Sequence, residues 1–429
     1  MTTNEGQRQL LDDCFLHDKD RLRHEEALDL LQQRTSVIAA HETVELAEAH
    51  GRILADDARA VRNIPAFDNA AVDGYALTFS DIDPDNENKM PLSMRIPAGA
   101  VPQGPLKPGT VARIFTGAQV PEAADTIIMQ EDVQTEPDGE ITLPAGIKHG
   151  INVRKAGEDL ATGKVVVNAG ERLRAAELTA LASAGYSEVT CFRPLAVGLL
   201  STGDEIIRPG KPYEPGNVYD ANYFLLKSLI PSTGATVTDL GIAPDNADDV
   251  ERLLIDAACK YDVIITSGGA SRGEEDHVVA TIDKIGTLHA WQLAIKPGRP
   301  VSFGQVGGKV IIGLPGNPVA VMVCFLLYVR PLLLRLGGDA WRTPQRYYMP
   351  ANFTIERKKT GRREFLRGWI EEESGGEPRA QKYSKDGSGL ISSLRAADGL
   401  IELDEDIAHV FPGDRVAFIP LPEFGILPR

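Results

Sequence analysis

The residues best suited to bind an anion follow an apolar run in the second half of the chain. Residues 264–273 begin with that run and open into a loop containing Ser267, Gly268, Gly269 and Ser271. Glycine allows successive backbone amides to approach a ligand closely and surround a phosphate or a similar anion. The same segment also fits an ordinary tight turn between a strand and a helix, so both interpretations stay open.

Carboxylates stand next to this loop and at a second strand end. Glu274, Glu275 and Asp276 follow it directly, and Glu205 closes the segment 201–205, which has the sequence Ser-Thr-Gly-Asp-Glu. Carboxylates repel a phosphate unless a cation lies between them, and Mg²⁺ is the usual bridging ion. Acidic residues also favour a helix N-terminus without any ligand. Asp276 is the strongest single candidate, whereas Asp-Gly at 73–74 is by itself normally only a turn.

Cations suited to a small oxyanion occur in Lys-Pro-Gly-Arg-Pro at 296–300. The prolines restrict the backbone, which would hold Lys296 and Arg299 in fixed positions. An exposed loop is the alternative. A second basic group near the C-terminus contains Arg367, and a group of this kind is more often a solvated surface.

The elements that would position these residues alternate between buried strands and helices. Apolar runs cover 195–200, 235–240, 262–266 and 309–314, with helical patterns near 220–230, 246–259 and 318–335. Such alternation predicts a parallel α/β sheet over residues 194–338. Ligands of these sheets bind at the carboxyl ends of the strands, where the loops above would lie.

The rest of the chain predicts further domains, because 429 residues exceed a single hydrophobic core. Residues 1–61 and 151–193 are predicted to form a discontinuous helical domain, with residues 1–20 an unexplained extension. Residues 62–150 are predicted to be an inserted β domain, and residues 339–429 a small C-terminal β domain. The fold class is therefore multidomain α/β plus β.

Two short helices are predicted in the discontinuous domain. The first covers 24–33, where the apolar residues share one face, and the second covers 175–184. Gly185 follows the second helix where a C-terminal cap is expected.

Composition restricts the partners and the compartment. The chain has 45 Lys and Arg against 61 Asp and Glu, a net charge of −16, which argues against nucleic-acid binding. Its four cysteines are scattered without a C-x-x-C pair, so neither a disulfide framework nor a structural zinc site is expected.

The N-terminus has no export signal, and the apolar run Val319–Val329 is too short to span a bilayer. A cytoplasmic protein that does not bind membranes is predicted.

Seven segments together resemble the molybdopterin molybdenumtransferase family, which includes the E domain of gephyrin. They are PAFDNAAVDGYA (65–76), IFTGAQVPEAADTIIMQED (114–132), NVRKAGED (152–159), STGDEI (201–206), SGGASRGEEDH (267–277), IKPGRP (295–300) and GLPGNPV (313–319). They occur in the family's order, and the likeness runs from about residue 24 to the end.

The resemblance implies an elongated, four-domain homodimer. Members of this family take adenylylated molybdopterin, an anionic pterin, together with molybdate. With Mg²⁺ they release AMP and leave molybdenum on the dithiolene. The adenylyltransferase that makes the substrate and the acceptor molybdoenzymes are the further partners implied.

The resemblance also assigns roles to residues. Catalytic roles fall on Asp73, Asp159, Glu205 and Asp276, of which Glu205 and Asp276 would hold the metal. Molybdate binding falls on Lys296, Arg299, Arg367 and Ser388. Other substrate contacts fall on Thr116, Asp245, Pro315 and Pro318, and on Ser267, Gly268, Gly269 and Ser271 in the glycine-rich loop.

Several positions depart from the family pattern. Arg299 replaces a common lysine, Gln292 stands where lysine is common, and Ala320 stands where serine is common. These differences concern the details of the oxyanion site.

Two other functions stay open from the sequence. The α/β segment alone also resembles molybdopterin adenylyltransferases, although the inserted β domain and the C-terminal domain argue against that activity. A non-catalytic scaffold that binds molybdopterin would not need Asp276 and Lys296, and this chain keeps both.

Overall fold

The computed structural model of the protein describes residues 21–270, 277–372 and 376–427, without the side chains of residues 290 and 291. The chain divides into two compact units. Unit 1 takes in the described residues up to Glu42, the segment Gly51–Ala55 and the described residues from Cys191 onward. Unit 2 takes in Thr43–His50 and Asp56–Thr190. The four-domain division made from the sequence stays a prediction.

The strands before residue 193 belong mainly to unit 2. They are β1 (His41–Glu45), β2 (Ala58–Arg59), β3 (Asn69–Ala70), β4 (Gly74–Leu77), β5 (Asn88–Ile96), β6 (Val111–Ile114), β7 (Thr126–Met129), β8 (Gln134–Thr135), β9 (Glu140–Leu143), β10 (Val153–Arg154), β11 (Val165–Val167) and β12 (Glu188–Phe192). A six-stranded sheet has the order β7-β4-β6-β5-β9-β8, and its apolar side chains, such as Ile96 and Ile114, form a buried core. This β-rich region lies where the sequence predicted one.

Helices α1 (His24–Arg34) and α2 (Ala175–Ala184) lie where the sequence predicted them. Helix α2 ends at Gly185, whose φ of +92° is the left-handed conformation that glycine adopts without steric cost. Helix α1 buries Ala27 and Leu31 in the main core of unit 1.

The remaining elements belong to unit 1. The strands are β13 (Ala196–Thr202), β14 (Ile206–Ile207), β15 (Val218–Tyr219), β16 (Thr236–Ala243), β17 (Val263–Ser267), β18 (Thr287–Gln292), β19 (Ile295–Lys296), β20 (Pro300–Val306), β21 (Lys309–Leu314), β22 (Tyr347–Pro350), β23 (Arg363–Glu371), β24 (Arg379–Lys382), β25 (Gly399–Leu403) and β26 (Arg415–Pro420). The helices are α3 (Ala221–Leu229), α4 (Ala247–Ala258), α5 (His277–Ile285), α6 (Pro318–Cys324), α7 (Arg330–Leu336) and α8 (Ile391–Ala396).

The α/β sheet of unit 1 has the strand order β16-β13-β17-β21-β20-β18. The first four strands are parallel, which confirms the prediction from the alternating pattern. Strands β20 and β18 are antiparallel and were not predicted. Gly307 and Gly308, both at positive φ, link β20 directly to β21, and so short a connection permits only antiparallel pairing.

Helices α6 and α7 are joined by a π-helical turn over Phe325–Val329, which gives one helix from Pro318 to Leu336. Among the described residues, this is the one helix that is long and apolar enough to cross a membrane. It is longer than the apolar run Val319–Val329 that the sequence suggested. However, 89% of its most apolar stretch is buried inside the fold, as expected for a core helix.

The C-terminal sheet has the order β19-β23-β25-β26-β22, with β24 added beside β23. Strand β19 comes from the α/β part of the chain and pairs in parallel with β23. This pairing places Lys296 opposite Glu364 and ties the segment between β18 and β20 to the C-terminal sheet. The α/β sheet together with the β sheets of unit 2 and of the C-terminal region confirms the predicted α/β plus β fold class.

Candidate functional site

Two cavities lie beside the carboxyl ends of the parallel strands in unit 1. The first has a volume of about 400 Å³ and is lined by Gly269, Ala270, Lys296, Pro297, Gly298, Pro300, Pro315, Gly316, Asn317, Ala320, Asp386 and Ser388. The second, of about 500 Å³, is lined by Ser201, Thr202, Glu205, Ile206, Val218, Tyr219, Asp220, Ala221, Asn222, Ser267, Gly268, Gly316, Asn317, Pro318, Gly389 and Ile391. Both include Gly316 and Asn317, so one loop forms a wall of each.

Glycine is required where these cavities meet the strand ends. Gly268 has φ +92°, and a Cβ there would lie 2.4 Å from the Thr202 hydroxyl oxygen. Gly298 has φ +102°, and a Cβ there would lie 2.4 Å from the Cys324 sulfur. Larger residues at these positions would displace the loops that line the cavities.

Lys296 supplies a cation to the first cavity. Its side chain is 36% exposed, and its ammonium lies 3.4 Å from a carboxylate oxygen of Glu364. The other oxygen of Glu364 accepts a hydrogen bond from Arg362 Nε at 3.1 Å. Because Glu364 is almost fully buried, it fixes the position of the Lys296 ammonium while the lysine still faces the cavity.

Ser388 and Asp386 reach the first cavity from the segment after β24. The backbone carbonyl of Ser388 accepts a hydrogen bond from Val319 N at 3.1 Å, which ties the segment to the start of α6. Lys382 lies 3.3 Å from Asp386 and offsets its negative charge.

Arg367 lies behind this segment and lines neither cavity. It is 3% exposed, and its guanidinium donates to Ser393 Oγ at 3.0 Å and to the Gly387 carbonyl at 3.1 Å. Burial lowers the pKa of Arg367. The sequence placed Arg367 at the molybdate; here it supports the chain that carries Ser388.

Arg299 has an exposed side chain and lines neither cavity. Its backbone carbonyl accepts a hydrogen bond from Leu293 N at 2.8 Å. Arg299 thus lies outside the lining of the cavity that includes Lys296, although the two stand three residues apart.

Glu205 brings a carboxylate to the second cavity. In the part of the chain that the structure describes, this exposed carboxylate has no hydrogen-bond or ion-pair partner. Asp245 lies outside both linings and stabilises a nearby turn: its carboxylate accepts from Asp204 N at 3.2 Å, and its own N donates to Asp204 Oδ1 at 3.0 Å.

The other predicted site residues lie in unit 2 or outside the described residues. In unit 2, Asp73 accepts hydrogen bonds from Thr116 Oγ1 at 2.7 Å and Thr116 N at 2.8 Å, and these bonds hold the pKa of Asp73 below its usual value. Asp159, also in unit 2, is exposed, and its backbone N donates to Ile64 O at 3.2 Å. Ser271 and Asp276 lie outside the described residues.

The sequence did not single out the residues around the start of α3. Asp220 caps the helix by accepting from Tyr223 N at 2.9 Å, and Asn222 Nδ2 donates to the Gly316 carbonyl at 2.7 Å. Asn222 therefore fixes the loop shared by the two cavities. An Asp placed just before a helical pattern is a capping signal, but nothing local in the sequence shows that Asn222 reaches Gly316.

Comparison with known proteins gives three consecutive family matches. A model described as the MoeA N-terminal region (domain I and II) matches residues 22–185, a probable molybdopterin binding domain matches 198–335, and the MoeA C-terminal region (domain IV) matches 351–421.

Relatives resemble the chain over most of its length. A molybdopterin molybdenumtransferase of Haemophilus influenzae is 39% identical over 88% of this chain and 93% of its own. Molybdopterin molybdenumtransferase 2 of Mycobacterium tuberculosis is 33% identical over 87% and 93%. The crystal structure of a molybdopterin biosynthesis MoeA protein from Pyrococcus horikoshii has a TM-score of 0.79 at 29% identity, covering 94% of this chain and 100% of that one.

Proposed function

The chain belongs to the molybdopterin molybdenumtransferase family, and we propose that it inserts molybdate into adenylylated molybdopterin with release of AMP. The observation that carries the proposal is the pair of cavities that share Gly316 and Asn317 at the carboxyl ends of the parallel strands. A substrate that extends across this loop can place its reacting group beside a small anion held next to Lys296. The adenylyltransferase alternative is less favoured, because a relative named as a molybdenumtransferase matches across 88% of the chain.

Molybdate is assigned to the first cavity. It is a dianion, so binding must replace its water shell with fixed donors. Lys296 supplies the charge and Ser388 supplies a hydroxyl donor. Arg367 contributes indirectly, because it holds the chain segment that positions Ser388.

The pterin substrate is assigned to the second cavity and the loop between the two. Ser267 and Gly268 stand at the end of β17, where the sequence predicted an anion-binding loop, and Pro318 begins α6 on the opposite wall. In the reaction, a water oxygen attacks the phosphoanhydride and AMP leaves, while the two dithiolene sulfurs bind molybdenum and the molybdate oxygens that they displace leave as water with the thiol protons.

Among the described residues, Glu205 is the predicted ligand that is available to a divalent cation. Glu205 offers two carboxylate oxygens that have no partner among the described residues, and hard cations such as Mg²⁺ prefer oxygen ligands. Mg²⁺ would offset the charge of the phosphoanhydride when bound, with Glu205 and, as the sequence predicts, Asp276 as its ligands. We retain Asp73 and Asp159 as catalytic candidates on the family resemblance.

The quaternary state and the compartment also belong to the proposal. The family resemblance supports a homodimer that exchanges its substrate and product with an adenylyltransferase and acceptor molybdoenzymes. The scattered cysteines support a cytoplasmic location.

The proposal is tested by mixing the protein with adenylylated molybdopterin and Mg²⁺ and then adding molybdate. AMP release that requires both molybdate and Mg²⁺ is expected. Full release in excess EDTA would contradict the metal requirement, and absence of release under all conditions would contradict the transferase activity.

A further inference from the structure

An exposed aromatic side chain forms part of the second cavity. Tyr219 lines it and remains 43% exposed, next to Val218, which is 52% exposed. Together with Ile206 and Ile391, these residues give the cavity an apolar part, although its other lining residues include Glu205 and Ser267. A ligand with a flat apolar face and polar edges matches such a surface.

The backbone of Tyr219 is held on both sides. Strand β15 pairs in parallel with β14, with Tyr219 opposite Ile207. Val218 N donates to the Glu205 carbonyl at 2.7 Å, and Asp220 N donates to the Ile207 carbonyl at 2.9 Å. The position of Tyr219 beside the cavity is therefore set by the strand pair.

Side-chain contacts around Asp220 fix the end of the strand pair. Arg208 Nη1 donates to the Asp220 carboxylate at 3.0 Å, and Arg208 Nη2 donates to Asp239 at 2.7 Å. The Arg208 guanidinium also lies 3.7 Å from the centroid of the Tyr223 ring. Because β14, β16 and α3 are all joined through Arg208, a ligand does not need to order this wall before binding.

The Tyr219 ring is restrained as well. Tyr213 packs against it with ring centroids 5.7 Å apart and the planes inclined at 45°. A tyrosine that is restrained yet exposed adds contact area to a bound ring and loses little side-chain entropy.

We propose that Tyr219 is a specificity-determining residue that stacks on a planar nitrogen heterocycle of the substrate in the second cavity. This inference rests on the proposed function, whose substrate carries two such rings, a pterin and an adenine. Stacking on an aromatic side chain suits both, because each ring presents a π face.

The test measures the dissociation constants of AMP and of a free oxidised pterin, each used as a separate probe, by calorimetry. Tyr219→Leu is expected to weaken one of the two probes by about five- to a hundredfold. Tyr219→Phe keeps the ring and should stay within about twofold of the unmodified protein for both. The probe that responds identifies which heterocycle lies against Tyr219.

The matched control is Tyr348→Leu. Tyr348 is 62% exposed on β22 and lines neither cavity, so its loss should leave both dissociation constants unchanged. Melting temperatures of all variants check that the fold is kept, because Tyr219 is more than half buried and packs against Tyr213.

Unchanged affinity of Tyr219→Leu for both probes would overturn the stacking role of Tyr219. If sedimentation changes at the same time, the ring is a protein–protein contact instead. If the unmodified protein binds neither probe, the proposed function itself fails, and that outcome is distinct from a failure confined to Tyr219.

Discussion

The Lys296 ammonium lies 3.4 Å from the Glu364 carboxylate, directly across the parallel pair formed by β19 and β23. One member of the pair lines the first cavity and the other is buried in the C-terminal sheet. Lys296, the cation assigned to molybdate, is therefore positioned by the C-terminal sheet. The cavities themselves lie at the strand ends of the α/β sheet.

The first prediction concerns Lys296→Ala. Loss of a charged hydrogen bond to the anion costs about 1.5–3 kcal/mol, so the molybdate concentration for half-maximal turnover should rise roughly ten- to a hundredfold. Affinity for the pterin should change much less. The control is Lys309→Ala, which removes an equally exposed lysine paired with Asp262 at the other end of β21. Equal molybdate dependence in both variants would exclude Lys296 from the site.

The second prediction separates Arg299 from Lys296. The family resemblance implied a molybdate contact for Arg299, but its exposed side chain lies outside both cavity linings. Both Arg299→Lys and Arg299→Ala should therefore keep the half-saturating molybdate concentration within about twofold, since changes to exposed charges alter binding little. If Arg299→Ala raises the half-saturating molybdate concentration and Arg299→Lys does not, Arg299 contacts molybdate after all.

The third prediction concerns Arg367→Ala. This change removes the donor to the Gly387 carbonyl and to the Ser393 hydroxyl. Ser393 is fully buried, and a buried polar group that loses its partner typically costs about 1–3 kcal/mol of unfolding free energy. Denaturant unfolding should show that loss, and molybdate should bind more weakly because Ser388 is displaced. A variant of unchanged stability with weakened molybdate binding would instead indicate direct contact between Arg367 and the anion.

The fourth prediction concerns Thr116→Val and pH. Hydrogen bonds from Thr116 favour the charged form of Asp73 and lower its pKa. Valine removes the hydroxyl donor, so the pKa of Asp73 should rise towards its ordinary value. If charged Asp73 is required, the acid limb of the pH–rate profile moves to higher pH, whereas activity near pH 8 is retained. An unmoved acid limb would show that Asp73 ionisation does not control the rate.

Local signals in the sequence were sufficient for much of the fold. Helix α2 and its Gly185 cap follow from periodicity and from glycine's access to positive φ. Strands β13, β17 and β21 follow from apolar runs that end in polar or glycine-rich loops. The cavities lie at those ends, where parallel sheets bind ligands.

Other features depend on tertiary contacts that no local pattern encodes. Arg367 and Arg299 are both arginines in basic groups of the sequence, yet the first is buried and supports the segment that carries Ser388, and the second is exposed. Asn222 reaches Gly316 across 94 positions of the chain, and Tyr219 became a candidate only because β14 and β15 place it at a cavity. The roles of these residues can be assigned only from the three-dimensional structure.

We propose that AMP release and molybdenum insertion are one coupled reaction. A single-turnover experiment with adenylylated molybdopterin, Mg²⁺ and molybdate measures it most directly, with AMP quantified by chromatography and protein-bound molybdenum by mass spectrometry. One molybdenum retained on the pterin for each AMP released, and no AMP without molybdate, is the predicted result. AMP released at the same rate without molybdate, or released with no molybdenum retained, would contradict the account.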